Sequence, residues 1–248
     1  MTPHAAGAQR HRFSPAVPAL SRRGVLRAVL AGTLLPQIGC SVDTPAPSSN
    51  SAPVAPTGPS GTPAPTASSS TGSGSRVLVA YFSRAGENYF NGGRTTLTVG
   101  NTEVVAGMIG QLITCDTHRV EAADPYPDGY DVTVARNVRE QDADARPAIA
   151  NPLPDLTGYD TVLLGSPIWN VRPPMIMQTF ADSHDFTGIR VLPFVTYAVS
   201  RLGSTERVYT EACRGADLGE ALAVRGEQAG QARPDVEAWL RRTRLIPA

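Results

Sequence analysis

Beyond about residue 75 the chain alternates between short apolar runs and polar, turn-rich stretches. "RVLVAYF" (76–82) is a β-branched, aromatic-containing run of the length and character of a buried strand. "TEVVAGMIGQLI" (102–113) brings Val105, Met108, Ile109, Leu112 and Ile113 to helical spacing. "HRVEAAD" (118–124) reads as a second, edge-like strand, and a polar helix is expected around 130–141. "YDTVLLGSPI" (159–168) is the clearest strand, and its following helix, "PPMIMQTFADS", begins on prolines, whose missing donor is harmless at a helix start. "IRVLPFVTYA" (189–198) predicts another strand, 204–213 a short helix, "GEALAVRG" (219–226) a weak strand, and "PDVEAWLRRT" a terminal helix opened by Pro234. Strand and helix alternate throughout. That order predicts an α/β fold, with a parallel sheet covered by helices on both faces.

The first 75 residues are of another kind. From Ser41 to Ser75 nearly every residue is Ser, Thr, Pro, Gly or Ala, a composition that buries too little apolar surface to offset the ordering of the chain. It reads as a disordered tether. Residues 1–40 carry Arg10, Arg12, Arg22, Arg23 and Arg27 with no acid, then an apolar run too short and interrupted to span a membrane. "SRRGVLR" (21–27) resembles a twin-arginine export signal, and "PQIGC" (36–40) resembles a lipoprotein cleavage site with Cys40 as the lipidated residue. The expected organisation is an export segment (1–40), a tether (41–75) and one folded domain (76–248). The domain is then expected outside the cytoplasmic membrane, attached through Cys40 or secreted.

Charge narrows the function classes. The whole chain has 22 basic and 22 acidic residues, and every basic one is Arg. Removal of residues 1–39 leaves 17 Arg against 22 acids, a net of −5. A mildly acidic domain without a basic stripe argues against nucleic-acid binding. No Cys-x-x-Cys and no compact His cluster supports a metal. Cys115 and Cys213 remain in the domain as either a pair or two separate thiols.

In a parallel sheet of this type ligands lie beyond the carboxyl ends of the strands. The loops 83–101, 165–173 and 196–204 therefore belong together. In the first, Ser83 follows a strand and Gly100-Asn101-Thr102 opens a helix, with Asn101 or Thr102 as its expected cap. First-turn amides and the Ser83 and Thr102 hydroxyls suit one terminal phosphate. The pattern is neither GxxxxGK[ST] nor GxGxxG, which disfavours a nucleoside triphosphate or a dinucleotide. Trp169 in the second loop and Tyr197 in the third supply two aromatic walls, with backbone donors from Ala198 to Gly203. A monophosphate pocket between aromatic walls suggests flavin mononucleotide. Ser166 lacks a G-x-S-x-G setting and has no triad base among His118 or His184, so a serine hydrolase is disfavoured. His184 is expected on the surface near a helix end, while Arg172 is open to two readings: neutralising reduced flavin or pairing with a carboxylate.

The blocks "YFSRAGENY" (81–89), "GNTEVVA" (100–106), "YP..Y" (126–130), "GSPIW" (165–169), "DFTG" (185–188), "PFVTYAVS" (193–200) and "AVRG" (223–226) occur in an order that resembles the flavodoxin family. The resemblance covers roughly 76–245. It implies a three-layer sandwich with five parallel strands in the order 2-1-3-4-5, and FMN as cofactor. It also implies that Ser83, Arg84 and Ala85 form one half of a phosphate cradle, and Asn101 and Thr102 the other. Ser166, Pro167, Ile168, Trp169 and Asn170 would form one flavin-facing loop, and Thr196, Tyr197, Ala198 and Gly203 the other. Two features depart from the pattern. "ENYFNGGRTTLTV" (87–99) separates blocks that are usually contiguous, and is expected to bulge as a loop over the cofactor edge. Val171 and Ala198-Val199 stand where relatives place glycines that let the backbone turn toward the ring.

The implied activity is one-domain electron transfer with a redox protein or a small-molecule donor or acceptor. An FMN-dependent NAD(P)H:quinone or flavin reductase is the alternative. A tethered module of the same fold without flavin is a further one.

Overall fold

The computed structural model describes residues 76–248. The export-type segment, Cys40 and the tether lie outside the described residues. Strand β1 (Val77–Tyr81) leads into a hairpin, β2 (Gly86–Phe90) and β3 (Gly93–Leu97), before helix α1 (Asn101–Leu112). Then come β4 (Asp116–Arg119), α2 (Tyr130–Asp142), β5 (Thr161–Pro167), α3 (Met175–Asp182), β6 (Arg190–Tyr197) and α4 (Thr205–Ala212). Two short strands, β7 (Asp217–Leu218) and β8 (Leu222–Arg225), a 3₁₀ turn (Gly226–Gln231) and α5 (Arg233–Arg242) complete the domain.

The main sheet is ordered β4-β1-β5-β6, with β7 and β8 sharing the far edge of β6, and every pairing is parallel. Counting that shared edge as one position gives the expected order 2-1-3-4-5. Val191 pairs with Leu218 and Phe194 with Leu222, so the edge carries one more residue than β6 over this interval. The extra residue is a bulge that splits the edge into two pieces. Pro193, which lacks a donor, falls in the interval where β6 has no partner on that side.

The period-two alternation of β1 sends Val77, Val79 and Tyr81 to one face and Leu78 and Ala80 to the other. The first face is covered by Val105 and Ile109 of α1 and by Val236, Trp239 and Leu240 of α5. The second is covered by Ile176, Met177 and Phe180 of α3 and Tyr209 of α4. Cys115 packs against the first layer and Cys213 lies in the second, so the sheet separates the two thiols, and both are free.

Two elements differ from the sequence expectation. The second strand ends at Arg119 rather than running through Asp124, and Ala122 makes only an isolated bridge to Ile149. The segment 83–101 is not a loop but contains the β2–β3 hairpin. Asn91 (φ 46°) and Gly92 (φ 86°) form its two-residue turn, a conformation that Asn-Gly supplies readily. Among the described residues, no helix is long and apolar enough to cross a membrane.

Candidate functional site

A cleft of about 90 Å³ opens at the carboxyl ends of β1, β5 and β6. It is built from seven pieces of chain: the end of β1, the hairpin, the start of α1, the start of α2, the loop after β5, the loop after β6, and the 3₁₀ turn.

Its polar floor forms where β1 passes into α1. Gly100 occupies the N-cap position with no side chain to offer. The expected cap from Asn101 or Thr102 is not made. Ser83 reaches across instead, and the Glu103 N–H donates to its Oγ at 3.1 Å. The Val104 N–H donates to the Gly100 carbonyl. The Asn101 and Thr102 amides, the first two of the helix, have no acceptor among the described residues. The Thr102 hydroxyl, buried, shares a 2.8 Å hydrogen bond with that of Thr196 and ties the helix start to the end of β6. Close approach explains two glycines. A Cβ on Gly100 would lie 2.6 Å from the Arg84 carbonyl oxygen and closer still to Ser83 Oγ. One on Gly226 would lie 2.7 Å from Asn101 Nδ2.

Arg84 is the cation of the site. Its Nη1 donates to the carbonyls of Pro127 (2.9 Å) and Asp128 (3.0 Å), its Nη2 donates to the Glu87 carbonyl, and its Nε is buried without an acceptor. Burial lowers its pKa from the ordinary value, while the charges of Asp128 and Glu87 oppose that shift. The guanidinium is thus held by peptide oxygens, and no salt bridge neutralises it among the described residues.

The aromatic side comes from the loops after β5 and β6. Trp169 borders the cleft and packs edge-on against Phe82 (5.6 Å) and Tyr126 (5.1 Å), so its ring orientation is fixed from behind. Asn170 (φ 46°) and Val171 (φ 62°) make a tight turn closed by Trp169 and Arg172, whose backbones exchange two hydrogen bonds. A β-branched residue is strained in that region. The Val171 carbonyl is clamped by the Ser204 N–H (2.8 Å) and the Ser204 hydroxyl (3.1 Å). Tyr197 and Ala198 line the opposite wall.

The hairpin forms the roof. Asn88 and Tyr89 line the cleft from β2. One side of the hairpin is fixed to α2: Glu87 accepts from the Tyr130 N–H at 2.8 Å, and Arg94 pairs with Asp131 through two hydrogen bonds. The tip is fixed to the 3₁₀ turn, where the Asn91 N–H donates to Glu227 Oε1 at 3.0 Å. Burial pushes the Glu227 carboxyl up. The Asn91 amide, its own amide and the Arg225 guanidinium outweigh that and hold it below its ordinary value.

Of the residues singled out from the sequence, the cleft brings together Ser83, Arg84, Asn101, Thr102, Pro167, Ile168, Trp169, Thr196, Tyr197 and Ala198. Four lie elsewhere. Ala85 borders a neighbouring depression beside Tyr126. Ser166 is fully buried, because β5 runs to Pro167 and its alternation turns Ser166 into the sheet. Asn170 faces α2, donating to Gln141 Oε1 at 2.8 Å. Gly203 packs against the Val171 carbonyl. The cleft adds Asn88, Tyr89, Tyr130 and Gly226, which lie in the blocks that carry the resemblance but were not named as site residues, and Glu227. The Asn91-Gly92 pair was the available signal for the first two.

His184 follows α3 as expected but is half-buried, its ring 4.5 Å from Phe180 and its nitrogens 2.7 and 3.0 Å from the carbonyls of Phe180 and Pro154. Arg172 forms no salt bridge among the described residues, and its Nε is buried without an acceptor.

The family model described as flavodoxin matches residues 76–243. Among solved structures, a candidate flavoprotein from Bacteroides uniformis is 27% identical. The match covers 68% of this chain and 99% of that one, with a TM-score of 0.55. A second candidate flavoprotein, from Bacteroides eggerthii, is 26% identical over 68% of this chain and 98% of its own, with a TM-score of 0.54. Among curated proteins no match is found.

Proposed function

The chain belongs to the flavodoxin family, and from that premise we propose that it binds FMN in this cleft and works as an electron-transfer protein outside the cytoplasmic membrane. The observation that carries the proposal is the polar floor. Two first-turn amides without acceptors face a site closed by Gly100, with Ser83 and the unneutralised Arg84 beside them. That donor set fits a single phosphate. When bound, the flavin supplies reversible uptake and release of electrons, and the protein supplies position and field.

The residues divide the work. The amides of Asn101 and Thr102, the Ser83 hydroxyl and Arg84 hold the phosphate. Trp169 and Tyr197 border the ring, the first with its orientation set by Phe82 and Tyr126. Asn88 and Tyr89 close the roof and exclude water. Glu227 keeps that roof down at its tip. Ala85, Asn170 and Gly203 act through the loops that carry these groups, and Ser166 through the end of β5.

The export reading completes the proposal. Arg22-Arg23 direct the chain outward, Cys40 is lipidated and holds it at the membrane, and residues 41–75 space the domain from the surface. Its partners are a redox protein or a small-molecule electron donor or acceptor. One observation supports a second reading, an FMN-dependent NAD(P)H:quinone or flavin reductase: the hairpin adds a wall to the cleft through Asn88 and Tyr89. Anaerobic mixing of the FMN-loaded full chain with NADPH or NADH, with and without a quinone, separates the two. Slow or absent pyridine-nucleotide oxidation, with rapid reduction by a protein donor, supports the carrier. Sustained quinone-dependent turnover overturns it in favour of the reductase.

A further inference from the structure

The tip of the hairpin carries a reactive pair of residues. Asn91 is the only asparagine in the chain that precedes a glycine. Both residues are exposed, and nothing lies within 4 Å of the position a Gly92 Cβ would take. The side chains of Asn88, Asn137, Asn151 and Asn170 are each engaged in a hydrogen bond. That of Asn91 has no partner among the described residues, and neither does the Gly92 N–H. What ties the tip across to the 3₁₀ turn is backbone: the Asn91 N–H donates to Glu227 Oε1 at 3.0 Å.

These are the conditions for attack by a main-chain nitrogen on a side-chain amide. The Gly92 nitrogen adds to Asn91 Cγ and gives up its proton to water. The Cγ–Nδ2 bond breaks, ammonia leaves, and a five-membered succinimide closes. Water then opens the ring on either side. Opening at the side-chain carbonyl gives aspartate; opening at the main-chain carbonyl gives isoaspartate, in which the chain runs on through Cβ and Cγ. The net change is one water in and one ammonia out, with no redox partner. A Cβ on the attacking residue would crowd its nitrogen, and glycine has none. Gly92 and Gly93 also give the turn the freedom to bring that nitrogen round.

The product would form at the roof's one tie to the 3₁₀ turn. A carboxylate at residue 91 stands beside that of Glu227, whose charge is answered by Arg225 at 3.2 Å. Like charges so placed repel. Isoaspartate does more, because it adds a main-chain carbon to a two-residue turn that pairs Phe90 with Gly93. The length of such a turn fixes the register of its strands. The other side of the hairpin keeps its own ties, Glu87 to the Tyr130 N–H and Arg94 to Asp131, so the change is confined to the tip.

We propose that Asn91-Gly92 is a modification site at which the chain deamidates itself, and that the product unlatches the hairpin roof from the 3₁₀ turn. The reagent is water, and the outcome is a slow, one-way loosening of the roof over the cleft. Neither step involves flavin, so failure here and failure of FMN binding are distinguishable.

The full chain is held at mildly alkaline pH, sampled over days, and digested for mass spectrometry. The peptide carrying Asn91 is expected to gain the mass that separates an acid from an amide, with isoaspartate identified by enzymatic methylation. Asn91→Gly, which keeps a residue suited to the left-handed turn, is expected to gain none. In the aged chain, hydrogen exchange of the amides from Asn91 to Gly93 is expected to quicken at least about tenfold, while those of β1 keep their protection. Asn91→Asp brings the charge without the added carbon and is expected to quicken less. A native chain that stays unmodified while the urea-unfolded chain deamidates overturns the modification, since the folded turn then shields Asn91. Modification with unchanged exchange overturns the unlatching. Asn91→Asp exchanging as fast as the aged chain overturns the role given to the added carbon.

Discussion

The two halves of the cleft are fixed by opposite means. On the phosphate side backbone amides and the Ser83 and Arg84 side chains are held by close contacts: Gly100 and Gly226 sit where a Cβ would collide, and Ser83, after β1, caps α1 beyond the hairpin. On the aromatic side, side chains form the site and the backbone is held against its preference. Val171 occupies a left-handed conformation (φ 62°) while Ser204 clamps its carbonyl twice. The first half tolerates almost no substitution, because its geometry is a set of close contacts. The second has room to change, because its strain is carried by one exposed turn. The hairpin belongs to neither half and bridges the site, from α2 at Arg94–Asp131 to the 3₁₀ turn at Asn91–Glu227.

That contrast is broken most strongly at Gly100. Gly100→Ala drives a methyl into the Ser83 and Arg84 loop, an overpacking that costs about 1–3 kcal/mol. Calorimetry is expected to show that loss, and FMN titration a weakening of at least about tenfold, since the same contacts shape the cradle. Ser83→Ala is milder. It removes the acceptor for the Glu103 N–H and is expected to cost about 1 kcal/mol in thermal unfolding, with a weakened but detectable FMN complex.

The aromatic side responds in the other direction. Val171→Gly relieves the left-handed strain but adds freedom to the unfolded chain. The balance is expected to be a stabilisation of about 0.5–1 kcal/mol, read from denaturant unfolding, without loss of FMN. A destabilised Val171→Gly variant contradicts the strain account.

The smallest effect concerns the bridge. Glu227 has a lowered pKa in the folded chain, so its contribution is fully present above its ordinary value of 4.5. It fades as pH falls through the lower folded value. Amide exchange at Asn91 is expected to lose protection over that acidic window. In Glu227→Gln it should already be weakly protected at neutral pH, with no further step on acidification.

The thiols report on the sheet between the halves. Burial pushes the Cys213 thiol up to about 12, with the Asp182 charge adding to it. Alkylation of the native protein at neutral pH is therefore expected to leave Cys213 unmodified until the domain unfolds.

The centre of the sheet was legible in the sequence because its strands are buried on both faces. β1, β5 and β6 appear as continuous apolar runs, and α1 and α5 show helical spacing. The hairpin was not legible by that criterion. β2 and β3 are mostly half-buried or exposed, so neither face has an apolar alternation, and only Asn91-Gly92 marked the turn. The helix cap was misplaced for a related reason: Ser83 is 20 residues from Glu103, and only the hairpin folds that distance back. Ser166 was assigned to a flavin-facing loop by the resemblance, although the strand read over 159–168 contains it; β5 runs to Pro167 and buries Ser166. Tyr130 and Glu227 join the cleft through contacts with the hairpin, which no local pattern encodes.

The most direct test of the account is the cofactor itself. The full chain, purified from cells, is to be denatured with acid and any released flavin identified and counted, and the emptied protein titrated with FMN. The account predicts FMN at one per chain, and rebinding that is impaired in Gly100→Ala. A colourless protein that refuses added FMN would contradict it. The donor-lined floor beneath Ser83, Arg84 and α1 would then need a different phosphate-bearing ligand.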